Sequence, residues 1–207
     1  MRRRHFLTLS AGTLGLLAQD HNSVRIPLRF FTEDQALDVA AAAARIFPTD
    51  ASGPGANEAN VVIYIDRQLA GPYGRDRYRF TQPPFAIGLP EQGYQGKATP
   101  RDIYREAMPQ IKGLHQLTLA EQDAALTRIE KTVFFQLLKT HTVEGMFCDP
   151  MHGGNANLTG WKLIGFPGPQ MSYADEVDRN HGREFRPAPM SLQQILGHPV
   201  KPSEDEA

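Results

Sequence analysis

One cysteine, Cys148, is present in 207 residues, so the chain can form no internal disulfide and can build no thiolate metal cluster by itself. No apolar run approaches the roughly 20 residues needed to span a bilayer. No G-x-G-x-x-G follows a strand pattern, which leaves the chain without a dinucleotide fingerprint. No C-x-x-C-H occurs, which leaves it without a c-type haem attachment site. A basic excess is also missing. The formal net charge is −1, and about −4 once Arg2, Arg3 and Arg4 are set aside, so nucleic acid is excluded as a partner. What is abundant is glycine (18) and proline (16), which predicts long irregular connections.

The first residues combine a basic start with a diluted apolar stretch from Phe6 to Ala18, too short for an anchor and suited to a signal segment. Within it Arg3, Arg4, Phe6 and Leu7 match the twin-arginine pattern R-R-x-F-L. That route moves folded cargo, and the expected location is therefore the periplasm. Residues 1–18 are read as the signal, 30–180 as a helical domain and 181–207 as a loose, Pro-rich acidic tail.

The body reads as mainly α: a single domain of about five helices with long Gly/Pro-rich loops. Thr32 with Gln35 forms a capping box ahead of Leu37, Ala40, Ala41 and Ala44, and Pro48 ends that helix. A second helix is expected from Ala56 to Leu69, with Val61, Ile65 and Leu69 four apart. Thr99-Pro100 opens a third, which Pro109 ends or kinks. Thr118 and Glu121 form another box, and helical character then runs to Leu138 with a break near Thr132. Residues 75–97 carry no period.

From Phe147 to Gly168 the pattern changes to five glycines, two prolines, the single Trp and the single Cys, read as a structured loop without regular elements. Next to it His141, Glu144, Asp149 and His152 lie close in sequence. These are metal-ligand types, and they raise the alternative of a free-standing periplasmic metal-dependent enzyme. Cys148 with His152 lacks an orienting third group, and a small buried side chain is the simpler reading. Gly153-Gly154 could cradle an anion or simply permit a tight turn. Trp161 and Phe166 suit either a core or a partner contact.

The run Glu144-Gly145-Met146-Phe147-Cys148-Asp149-Pro150, then Gly153-Gly154-Asn155, Gly160-Trp161 and Ile164-Gly165-Phe166-Pro167-Gly168, resembles the gluconate 2-dehydrogenase subunit 3 family. Phe30-Phe31-Thr32, Ile46-Phe47-Pro48 and Pro54-Gly55-Ala56 through Ile65-Asp66 extend the resemblance, which covers residues 30 to about 171. It implies a small subunit of a membrane-associated complex that oxidises gluconate or a related sugar. FAD is then expected in a large catalytic subunit and haem c in a multihaem cytochrome c subunit. No catalytic, cofactor or metal residue is expected in this chain, and contact with the membrane is through the complex only. The resemblance further implies an escort that exports and stabilises the large subunit. The expected contact surface comprises Phe147, Cys148, Asp149, Gly153, Gly154, Asn155, Trp161, Phe166 and Pro167.

Overall fold

The computed structural model describes residues 27–77, 83–85, 88–170 and 172–197. Arg3, Arg4, Phe6 and Leu7 lie outside these. Among the described residues there are eight α-helices and no strand. They are α1 (Glu33–Ile46), α2 (Val61–Ala70), α3 (Pro100–Ala107), α4 (Leu119–Ile129), α5 (Val133–Phe147), α6 (Thr159–Ile164), α7 (Ala174–Arg179) and α8 (Leu192–Gly197).

The helix starts follow from local chemistry. The Thr32 hydroxyl accepts from Gln35 N–H while the Gln35 side chain accepts from Thr32 N–H, and α1 begins there. Thr99 with Asp102, and Thr118 with Glu121, do the same for α3 and α4. Thr132 caps α5 and breaks it from α4, as the sequence predicts. Pro109 ends α3 by turning the chain into a 3-10 turn at Met108–Gln110.

Helix α5 is the centre. It packs on α2 most extensively and also on α1, α3, α4 and α6. Buried side chains of α1 to α5, including Val39, Ile65, Leu69, Tyr104, Leu126, Phe134 and Leu138, form one core. Gly145 lets α5 approach α2 closely, because a Cβ there would sit 3.1 Å from Val61 Cγ1. No helix among the described residues is long and apolar enough to cross a membrane.

Three expectations need correction. The second helix starts at Val61, not Ala56, because Asn60 adopts φ +54 and closes a turn, with Val61 N–H donating to Ala56 O. The glycine-rich segment 147–168 contains α6 and 3-10 turns at Pro150–His152 and Ala156–Leu158; with α7 and α8, this raises the count above five. The tail is not loose throughout. Met190 N–H donates to Pro167 O at 3.1 Å, Leu192 N–H donates to Asp149 Oδ2 at 2.7 Å, and Ser191 is buried.

Candidate functional site

The C-terminal end of α5 leaves carbonyls with no partner in the helix. Asn155 and Trp161 supply partners. Asn155 N–H donates to Gly145 O at 2.7 Å, and Asn155 Nδ2 donates to Cys148 O at 2.8 Å. Asn155 Oδ1 accepts from Gly160 N–H at 2.7 Å, which ties α6 to the same hub. Trp161 Nε1 donates to Phe147 O at 2.7 Å. Glycine is required where these backbones meet: a Cβ at Gly160 would overlap the Met146 carbonyl oxygen, and one at Gly154 the Gly145 carbonyl oxygen.

The loop thus divides the residues expected at a partner surface. Gly154, Asn155 and Trp161 are buried within this chain, Trp161 at 4% exposure. Phe147, Cys148, Asp149, Gly153 and Pro167 are half-buried. Phe166 is 40% exposed and stands edge-on to Trp161 at 5.0 Å. Two further apolar side chains face outward on this segment, Met151 at 54% and Ile164 at 59%. Sequence reading passed over both, although Ile164 belonged to the motif. Its signal is an apolar residue at the end of a short helix in which Trp161 turns inward.

His141, Glu144, Asp149 and His152 do not converge. His141 is enclosed between two tyrosines, Nδ1 at 2.9 Å from Tyr104 Oη and Nε2 at 2.8 Å from Tyr73 Oη. Glu144 accepts from Tyr64 Oη at 3.0 Å. Asp149 accepts from Met151 N–H and from Leu192 N–H. His152 is exposed. Among the described residues no group of three or more His, Cys, Asp or Glu side chains could hold a metal ion. The metal-dependent reading therefore loses its geometric basis. Burial pushes the Cys148 thiol up to about 11, which keeps it protonated and a poor nucleophile.

The tyrosine pair assigns the His141 tautomer. Tyr104 is fully enclosed, so its hydroxyl proton must be used inside, and Nδ1 is the acceptor beside it. Nε2–H then donates to Tyr73, whose half-exposed hydroxyl can give its own proton to water. Burial pushes Tyr104 well above the usual tyrosine range, and pushes Tyr73, with Glu144 and Asp76 adding to it, up to about 12. Both stay neutral donors.

Burial lowers His141 from 6.5 to about 4. Folding therefore favours the neutral ring, and its contribution is intact above about pH 6.5 and lost as pH falls toward 4. The loss should be about 3 kcal/mol. Urea unfolding at pH 7 and pH 4 checks it: the pH-dependent difference between the native chain and His141→Gln should be of that size, and parallel pH curves would contradict it.

With the geometry in place, comparison with known proteins gives one match. Residues 33–168, most of the chain, match the family model described as gluconate 2-dehydrogenase subunit 3. The matched span runs from the first residue of α1 to Gly168, past the Asn155 hub. No significant match was found among curated proteins or solved structures. The chain belongs to the gluconate 2-dehydrogenase subunit 3 family.

Proposed function

We propose that this chain is the non-catalytic small subunit of a periplasmic, membrane-associated, flavin-dependent dehydrogenase that oxidises gluconate or a related sugar. It exports the catalytic subunit in the folded state and stabilises it. FAD is carried by that large subunit and haem c by a multihaem cytochrome c subunit, which hands electrons toward the membrane. The observation that carries the reading is the family match from α1 through the Asn155–Trp161 loop. It is supported by a sequence without dinucleotide or haem motifs and by a start that fits the twin-arginine signal.

The loop exposes Met151, Ile164 and Phe166, and the Phe166 ring stands edge-on to the buried Trp161. Exposed apolar side chains on a segment tied down by the Asn155 hub suit a subunit contact. Trp161→Ala is a poor test, since removing a buried Trp costs about 3–5 kcal/mol of folding stability by itself. Met151→Asp with Ile164→Asp is the better one, because both side chains are mostly in solvent. The pair should reduce co-purification of the flavin subunit at least about tenfold, the effect of a hot-spot loss near 1.4 kcal/mol. Helix content and melting temperature should stay unchanged. Undiminished co-purification would remove this face from the interface.

A further inference from the structure

Where the chain enters α1 there is a cluster of positive charge that the fold and the proposed function leave unused. Phe30 is fixed there: its N–H donates to Asp66 Oδ1 at 2.9 Å, and its ring stands at 71° to Phe31, 5.0 Å between centroids. The guanidinium carbon of Arg101 lies 5.3 Å from the Phe30 ring centroid, and that of Arg105 lies 5.4 Å from it. The two arginines are four apart on α3, a spacing at which like charges repel. Arg75 joins them, because Arg101 N–H donates to Gly74 O and holds the turn after α2 against the start of α3. Burial, then the nearby Arg105 and Arg75 charges, lower the Arg101 pKa.

None of these three guanidinium groups has an ion-pair partner among the described residues, although the Asp102 charge partly offsets Arg101 and Arg105. Arg45, by contrast, grips Asp123 through Nε at 2.7 Å and Nη2 at 3.0 Å. Arg75, Arg101 and Arg105 make no such ion pair among the described residues. Asp102, the adjacent carboxylate, is engaged by Thr99 N–H and Oγ1 in the helix cap. Arg101 Nε is buried without a hydrogen-bond partner, the one such side-chain atom among the described residues. The Phe30 ring close to this guanidinium offers cation–π contact instead.

We infer that Arg101 and Arg105 over the Phe30 ring, with Arg75 on the adjoining turn, are a docking site for a short Asp/Glu-rich segment of a protein partner. Guanidinium forks match carboxylates two bonds at a time, and the aromatic face holds them in place before the partner arrives. A bound carboxylate relieves the mutual repulsion of the three arginines. A long polyanion fits less well, because the chain beyond its first residues carries a net charge of about −4 and repels it at long range. The site rests on the reading of the chain as one subunit of an assembly, and it adds a second contact on a different part of the surface from the loop.

The test uses the full-length chain alone, with a hexaglutamate peptide as probe, in low-salt buffer by calorimetric or NMR titration. The peptide should bind saturably, with affinity that falls as salt rises. Arg101→Gln with Arg105→Gln should weaken binding at least about tenfold at unchanged helix content. Arg105→Gln alone, a change on an exposed side chain, should weaken it less and serves if the pair misfolds. Inorganic phosphate at the same concentration should not displace the peptide. Absence of binding, equal binding by the variants, or displacement by phosphate would each overturn the acidic-segment site. Since no flavin subunit is present, such a failure leaves the loop contact and the escort role to stand or fall on their own tests.

Discussion

Replacing Asp66 with Ala should destabilise the protein by about 4 kcal/mol, which lowers the melting temperature by roughly 10 °C. Asp66 sits on α2 at 1% exposure, and its carboxylate accepts three backbone N–H groups in succession: Arg29 at 2.7 Å, Phe30 at 2.9 Å and Phe31 at 2.9 Å. Three donors converging on one carboxylate hold an otherwise extended segment against the helix. Alanine leaves all three without an acceptor. Water can reach Arg29, which is exposed, but not the N–H of buried Phe31, so the cost is less than three full penalties. Asp66→Asn keeps one acceptor oxygen and places an NH2 group against the remaining donors, and it should fall between the two. Phe30 loses its anchor in Asp66→Ala, so hexaglutamate binding should weaken there in step with stability. Thermal unfolding measures the first effect. A shift of only a degree or two would mean that solvent replaces the carboxylate at little cost.

Much of this was legible in the sequence where the chemistry is local. Thr32 with Gln35, and Thr118 with Glu121, declare their helix starts within four residues, and Pro109 declares a stop. The family motif was legible too, because it is a string of consecutive residues from Glu144 to Gly168. What could not be read is what depends on contacts distant in sequence. His141 and Glu144 form an apparent ligand pair at helical spacing, yet each goes to a different tyrosine, Tyr73 and Tyr104 for one and Tyr64 for the other. Asp66 gave no sign that it would gather the N–H groups of residues 29–31. Helix α6 was hidden because it is six residues long with Gly160 inside it and Gly165 at its end, and its start at Leu158 has φ +59, a conformation that propensity does not anticipate. The Phe147–Gly168 motif was recognised as a unit, but its division into an inward half around Trp161 and an outward half at Met151 and Ile164 required the packing.

Changing Arg3 and Arg4 together to Lys should have the largest effect of all, on location and not on stability. Lysine keeps the charge of arginine but not its planar five-donor fork, so the variant alters recognition of the signal without altering its electrostatics. Flavin is held by a folded protein, and a chain that folds in the cytoplasm cannot be exported as an unfolded thread. A route for folded cargo removes that obstacle, and one signal serves two chains that have already associated. On this account Arg3 and Arg4 govern the location of the catalytic subunit as well as of their own chain. The direct measurement is sugar-acid dehydrogenase activity in separated periplasmic and cytoplasmic fractions of cells that express the whole complex. Activity should move from the periplasm to the cytoplasm in the Arg3→Lys, Arg4→Lys variant while its total falls only modestly; activity that still reaches the periplasm would rule out the escort role.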